Sequence, residues 1–198
     1  MNYTESLAYL DSLGKFGIKL GMERIEGLLR ELGNPEQKIK TVHVTGTNGK
    51  GSVTSMITSI LLAANLKVGK FTSPHLVKYN ERINLNGKDI SDEDFAMAIT
   101  AVKDAADSVV KKGVCEQPTQ FEILTAAAFL YFYLQKVDYA VIEVGMGGLW
   151  DSTNVITPVV SVITNVALDH TDRCGKTLER IAMQKAGIIK EKVPLVTA

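Results

Sequence analysis

The sequence of 198 residues is 45% apolar and 22% charged, values of an ordinary folded domain that exclude intrinsic disorder. Lysine plus arginine number 22, as do aspartate plus glutamate, and this zero net charge predicts neither a nucleic-acid partner nor a membrane-surface anchor. No apolar run reaches about 18 residues and no signal-peptide pattern opens the chain, so the sequence predicts a cytoplasmic protein. Cys115 and Cys174 belong to no metal-binding spacing.

Taken in chain order, the predicted elements alternate between helices and strands. Apolar spacing, together with cap and stop residues, predicts helices over residues 4–13, 25–32, 52–64, 92–112, 119–136 and 177–188. Strands are predicted over residues 40–45, 68–72, 137–144, 158–166 and 193–197. The segment 73–88 is otherwise irregular, with a small hairpin predicted around Asn86–Gly87. Because alternating strands and helices need crossovers, this order predicts an α/β fold with a mostly parallel sheet covered on both faces.

A glycine-rich loop at 45–52, Thr-Gly-Thr-Asn-Gly-Lys-Gly-Ser, connects the strand at 40–45 to the next helix. Such a loop turns successive N–H groups toward phosphate oxygens, with the positive end of the helix behind them. The loop departs from the strict phosphate-loop pattern, because Val44 stands at the first glycine position and Gly51 follows the lysine, which moves the hydroxyl to Ser52. The alternative is a plain strand-to-helix turn. The loop predicts binding of a nucleoside triphosphate by Thr47, Asn48, Gly49, Lys50, Gly51 and Ser52.

Further polar residues follow the predicted strands. Glu143 ends an apolar strand, where phosphate-loop enzymes place a magnesium ligand, although a carboxylate in a turn is the alternative. Ser73 also follows a strand and reads, from the residues alone, as a turn residue. His170 comes after the strand at 158–166, whereas His43 lies inside a strand and is predicted to be structural; His75 is left open.

A lysine interrupts the apolar stripe of the helix at 177–188. Leu178, Ile181, Lys185 and Ile188 are offset by helical spacing and share one face. An isolated ammonium is costly in such surroundings, so Lys185 must reach solvent, pair with an acid or be modified.

The ordered set of motifs resembles folylpolyglutamate and dihydrofolate synthases, a branch of the Mur ligase superfamily. The matching stretches are residues 46–52, 71–75 with 80–83, 143–148 with 151–154, 168–170 and 185–190. Gly51 itself is similar to what this folate branch carries, whereas the peptidoglycan ligases usually have serine or threonine there. The resemblance covers essentially the whole chain.

The resemblance implies a phosphate-loop ATP-binding domain and a reaction in two steps. ATP phosphorylates a carboxylate of a folate or dihydropteroate, and the amino group of L-glutamate then attacks the acyl phosphate. Ser73 and Glu143 would bind magnesium, and His170 with a carboxylated Lys185 would hold a second magnesium ion. Lys50, Glu143, His170 and Lys185 are thus the implied catalytic residues, in a monomeric enzyme.

The resemblance also implies a pterin-binding set, which comprises Leu20, Gly21, Met22, Thr119, Gln120, Phe121, Glu122, Trp150, Asp151 and Ser152. Phe121 and Trp150 could stack on a flat heterocycle, and core packing is the alternative for both. Gly145, Gly147 and Gly148 are interpreted as a loop that brings Asp151 to the site, because no helix is predicted directly after them.

The length of the chain is short for this family, whose ATP-binding domain is longer and precedes a glutamate-binding domain. Residues 1–198 are therefore predicted to form one ATP- and folate-binding domain, truncated at its C-terminal end and without the glutamate-binding domain. One alternative is a non-catalytic fragment that binds ATP and magnesium. Another is a peptidoglycan Mur ligase, disfavoured by Gly51 and by residues 185–188, and the most remote is a nicotinamide oxidoreductase.

Overall fold

A computed structural model describes residues 1–14, 17, 21–168 and 175–198. Leu20 and His170, two of the predicted site residues, lie outside the described residues. The helices are α1 Tyr3–Leu13, α2 Glu23–Glu31, α3 Lys50–Ala63, α4 Asp92–Lys111, α5 Gln120–Leu134 and α6 Leu178–Ala186. The strands are β1 Thr41–Thr45, β2 Val68–Phe71, β3 Ile83–Leu85, β4 Lys88–Asp89, β5 Tyr139–Glu143, β6 Val160–Ile163 and β7 Leu195–Thr197. Short 3-10 turns occupy Pro35–Lys38, Tyr79–Arg82 and Ser152–Val155.

The strands form one sheet, and in the described part of the chain it has seven members in the order β4-β3-β2-β5-β1-β6-β7. Strands β2, β5, β1, β6 and β7 are parallel, whereas β3 and β4 are antiparallel additions at one edge. The predicted α/β class and the mostly parallel sheet are confirmed. Because the carboxyl ends of parallel strands share one edge, the loops after β1, β2, β5 and β6 lie next to each other.

Helices cover both faces of the sheet, as predicted. Val42, Val44 and Val141 point to the face covered by α3. Ala140 and Ile142, their neighbours along the pleat, point to the larger core formed with α1, α2, α4 and α5. None of the helices among the described residues is both long and apolar enough to span a membrane.

The small hairpin is confirmed, and its turn explains its position. Asn86 and Gly87 have φ angles of 52° and 81°, the pair of positive values that a two-residue type I′ hairpin turn requires. The preceding segment is less irregular than expected, because residues 79–82 form a 3-10 turn and β3 pairs with β2. The pairing of β3 with β2 depends on contacts across the sheet, so the spacing of apolar residues within the segment does not predict it.

Candidate functional site

The glycine-rich loop lies at the carboxyl end of β1, and α3 begins two residues earlier than predicted, at Lys50. Gly49 is the N-cap with a φ of 79°, a left-handed conformation that favours glycine. The Lys50 ammonium donates to the carbonyls of Gly46 and Thr47 at 3.0 and 3.2 Å, so it lies above the loop. The first turn of α3 has N–H groups that the helix itself cannot satisfy. The loop thus combines a cation, backbone donors and the positive end of a helix.

The loop after β6 holds the glycine-rich loop from the other side. The Asn165 side-chain oxygen accepts from the N–H groups of Thr47 and Asn48 at 3.2 and 2.9 Å. The Thr164 hydroxyl donates to the Asn48 carbonyl at 2.6 Å, and a Cβ added to Gly46 would collide with that hydroxyl. Sequence reasoning missed Thr164 and Asn165, although a polar pair directly after a buried strand was the available signal.

Glu143 lies next to the start of α3. In the sheet it is the register partner of Val44, and only 4% of its surface is exposed. Its carboxylate accepts from the Ser73 N–H at 3.2 Å, and a Cβ on Gly51 would lie 3.6 Å from it. Burial raises the pKa of Glu143, while the Ser73 N–H and the charge of Lys50 oppose that rise. The structure therefore brings together Lys50, Gly51, Ser73 and Glu143.

The donor set at this edge suits a magnesium ion held largely by phosphates and water. Among the described residues, no cluster of three or more His, Cys, Asp or Glu side chains could hold a metal by itself. Mg²⁺ keeps several waters and usually binds one or two carboxylates plus phosphate oxygens. One buried carboxylate beside a serine and a phosphate-type loop matches that preference.

Lys185 is buried on α6. Its exposed fraction is 3%, and Ile181 and Ile188 are buried beside it, so the side chain does not reach solvent. The prediction that Leu178 shares this buried face is wrong. Leu178 is 49% exposed because it is the first residue of α6, directly after the N-cap Thr177. The end of α6 packs on the loop after β5, where a Cβ on Gly148 would lie 3.1 Å from the Lys185 carbonyl.

The two aromatic candidates differ in their surroundings. Phe121, in the first turn of α5, is half-buried, with its ring centroid 6.0 Å from that of Phe71. A Cβ on Gly145 would lie 2.5 Å from the Phe121 ring, so this ring packs directly on the loop after β5. Trp150 is 47% exposed, which excludes core packing for its ring.

Asp151 and Ser152 are buried and bonded within the protein. The Asp151 carboxylate accepts from the Met146 N–H at 2.8 Å and from the Thr153 N–H at 3.0 Å, and burial raises its pKa. The Ser152 hydroxyl lies 3.1 Å from the Thr125 hydroxyl. Asp151 therefore turns back onto its own loop in this structure, and a role for it in substrate binding stays a prediction.

The remaining candidates surround the start of α5. Thr119 is its N-cap, and Gln120 donates to the Leu10 carbonyl and the Tyr79 hydroxyl at 3.0 and 2.9 Å. Glu122 accepts from the Thr119 N–H at 2.7 Å and forms a buried ion pair with Arg24 at 3.1 Å. Gly21 and Met22 immediately precede α2, which carries Arg24.

Glu122→Gln is expected to lower the free energy of unfolding by about 3 kcal/mol, because it removes the charge of one partner in a buried ion pair and weakens the bond to the Thr119 N–H. Urea unfolding followed by circular dichroism measures the loss. Glu31→Gln is the matched control, since the Glu31–Lys112 pair is solvent-exposed and its loss should have a much smaller effect. Equal losses for the two variants would contradict the buried role of Glu122.

Comparisons with known proteins agree with this geometry. Residues 44–196 match the family profile of the Mur ligase middle domain. The dihydrofolate synthase/folylpolyglutamate synthase of Bacillus subtilis is 46% identical over 197 residues, covering 99% of this chain and 46% of that protein. A solved FPGS–AMPPCP–folate complex has a TM-score of 0.93 at 47% identity, covering 100% of this chain and 48% of that one. E. coli FolC in complex with DHPP and ADP has a TM-score of 0.90 at 34% identity, covering 100% of this chain and 46% of that one. The chain thus spans about half the length of these proteins.

Proposed function

The chain belongs to the Mur ligase family, through its middle domain, and on that premise we propose that it binds ATP and a folate or dihydropteroate for an ATP-dependent ligase. The ligase would join L-glutamate to the carboxylate of that substrate. The observation that carries the proposal is the meeting of Lys50, Gly51 and Glu143 at one edge of the sheet. The printed names of the relatives, which are folylpolyglutamate and dihydrofolate synthases, support the same substrate class.

The loop 46–52 would hold the phosphates of ATP. Lys50 would exchange its bonds to the Gly46 and Thr47 carbonyls for phosphate oxygens, and the N–H groups at the start of α3 would point at the same charge. Ser73 and Glu143 would hold magnesium, which would neutralise negative charge on the transferred phosphoryl group. Gly51 has no side chain, so the space beside the Glu143 carboxylate, where a Cβ would lie 3.6 Å away, stays open.

The reaction requires positioning more than covalent participation by the protein. A carboxylate oxygen of the substrate attacks the terminal phosphorus of ATP, which releases ADP and leaves an acyl phosphate. The amino group of L-glutamate then attacks the acyl carbon, phosphate leaves with the bonding electrons, and the ammonium formed loses a proton to give the amide. Fixed cations and N–H groups stabilise the charge that develops in both steps.

The pterin ring would bind along the start of α5 and the loop after β5. Phe121 and the exposed Trp150 supply flat apolar surface there. Leu20, Gly21 and Met22, with Thr119, Gln120, Glu122, Asp151 and Ser152, complete the proposed surroundings of the substrate. The cytoplasmic location and the monomeric state remain predictions.

Lys185→Ala is expected to reduce phosphate release strongly and to be partly rescued by a short carboxylate such as acetate. The reason is that Lys185, 3% exposed, would act as a carboxylated anion that holds the second magnesium together with His170. Phosphate release is measured with and without added acetate. Mass spectrometry of the intact chain tests whether Lys185 carries added carbon dioxide. Lys192→Ala, at a lysine whose side chain is 87% exposed, is the control. Unimpaired phosphate release in Lys185→Ala would contradict this role.

The proposal is tested by phosphate release from ATP with magnesium and dihydropteroate, with and without L-glutamate. A ligase releases phosphate only when all components are present. A second candidate is ATP and magnesium binding without turnover, which rests on the same loop with Lys50 and on the adjacent Glu143 alone. That candidate predicts ATP binding without release. Failure to bind ATP would overturn both.

A further inference from the structure

A buried chain of hydrogen bonds joins β1 to the loop after β5. The His43 Nε2 atom lies 2.8 Å from the Thr153 hydroxyl, which donates to the Asp151 carboxylate at 2.5 Å. The other Asp151 oxygen accepts from the Met146 N–H at 2.8 Å. His43 and Thr153 are fully buried and Asp151 is 6% exposed, so water does not compete for these bonds.

The direction of each bond follows from the number of hydrogens available. The Thr153 hydroxyl has one hydrogen, which is directed to Asp151, so its oxygen must accept from His43. His43 is therefore the Nε2–H tautomer. The Nδ1 atom is then a bare acceptor, in agreement with its lack of a hydrogen-bond partner within the described structure. Burial lowers the pKa of His43 to about 3, which keeps the ring neutral.

The carboxylate at the end of this chain fixes the loop after β5 in place. A Cβ on Gly145 would lie 3.1 Å from the Asp151 carboxylate and 2.5 Å from the Phe121 ring, so the loop backbone is confined between them. Thr45 adds a second connection, because its hydroxyl donates to the Gly147 carbonyl at 2.7 Å. His43 and Thr45 lie on the same face of β1, whose carboxyl end becomes the glycine-rich loop.

We propose that Thr153 and His43 are positioning residues, which set the loop of residues 145–150 relative to the phosphate-binding loop. The proposal rests on the proposed function, in which this loop contacts the pterin substrate and the glycine-rich loop binds ATP. Neither residue touches a substrate, since both side chains are fully buried. Their loss should loosen the substrate loop and weaken binding of the pterin more than binding of ATP.

The test compares Thr153→Val, which removes the hydroxyl at nearly constant shape, with Thr153→Ser, which keeps it. Hydrogen exchange at the Met146 amide is expected to accelerate about tenfold or more in Thr153→Val, relative to the amides of Val141 and Ile142 in β5. Thr153→Ser should restore slow exchange. Thr100→Val is the control, because the Thr100 hydroxyl donates to the Ala96 carbonyl within α4 and accepts from the N-terminal ammonium of Met1, neither of which belongs to the loop after β5.

The imidazole nitrogen shifts of His43 provide a second readout in the unmodified chain. The expected spectrum is that of a neutral ring protonated at Nε2, with no titration between about pH 5 and pH 8. Unchanged Met146 exchange in a folded Thr153→Val variant, a proton on Nδ1, or titration in that range would overturn the proposal. If Thr153→Val does not fold, the His43 spectrum and the Thr153→Ser variant decide.

Ligand titrations separate this proposal from the proposed function. Dihydropteroate affinity should fall about tenfold in Thr153→Val, while the affinity for the ATP analogue AMPPCP should stay within about twofold, because only the substrate loop loses a restraint. Equal losses for both ligands would overturn the positioning role. If the unmodified chain does not bind dihydropteroate, the proposed substrate class fails, and the exchange and nitrogen-shift data still judge the positioning role.

Discussion

Lys50→Met should weaken ATP binding by about 100-fold, because hydrogen bonds to charged groups contribute about 1.5–3 kcal/mol each and the ammonium can make more than one to the phosphates. Methionine keeps the aliphatic length of the side chain and removes its charge. The position of Lys50 supports this expectation, since its ammonium lies over the loop at 3.0 and 3.2 Å from the Gly46 and Thr47 carbonyls. Isothermal calorimetry with ATP and magnesium measures the loss.

The control for this experiment is Lys40→Met, an exposed lysine just before the opposite end of the same strand. It changes the net charge equally, so long-range electrostatics are matched and only the local contact differs. Lys40→Met should bind ATP as the unmodified chain does. An affinity for Lys50→Met within about threefold of that value would exclude the glycine-rich loop as the phosphate site.

Glu143→Gln should remove the magnesium dependence of ATP binding and at the same time raise the melting temperature. Burial raises the pKa of Glu143, so its ionised form is less favourable in the folded than in the unfolded chain. At neutral pH the carboxylate therefore costs stability, and glutamine removes that cost while keeping an acceptor for the Ser73 N–H. A site that gains stability when it loses activity is typical of functional positions.

The pH dependence gives the same prediction a second readout. Because the folded-state pKa of Glu143 is raised, acidification should protonate it above the range of an ordinary glutamate, and magnesium-dependent ATP binding should decline there. Over the pH range in which Glu143 becomes protonated, its charge no longer lowers the free energy of unfolding. Glu143→Gln should lack this acid decline, whereas Glu93→Gln, at an exposed position on α4, should retain it. Retained magnesium dependence in Glu143→Gln would contradict the metal role.

Local patterns predicted the parts of the fold that depend on neighbouring residues. The Asn86–Gly87 hairpin follows from the positive φ angles that its turn needs, and the start of the helix predicted over residues 92–112 follows from Ser91, whose hydroxyl accepts from the Asp94 N–H. The strand order could not be predicted in the same way. Strand β5 lies between β1 and β2, although about 70 residues separate it from β2, because burial of both faces selects that place.

The candidate site shows the same division. The glycine-rich loop and the place of Lys185 on a helix face with Ile181 and Ile188 could be predicted from local spacing, whereas the burial of its side chain follows only from the fold. The contacts of Asn165 with Thr47 and Asn48 could not, because they join segments 117 and 118 residues apart through the register of β1 and β6. His43 was predicted to be structural from its place in a strand, but only the fold reveals Thr153 as its partner.

The most direct test of the central claim is calorimetric titration of the chain with ATP in magnesium and again in EDTA. If the glycine-rich loop and Glu143 form one metal-dependent nucleotide site, binding should be saturable with one ATP per chain, and about tenfold or more weaker in EDTA. No binding in magnesium, or equal affinity in EDTA, would contradict the claim.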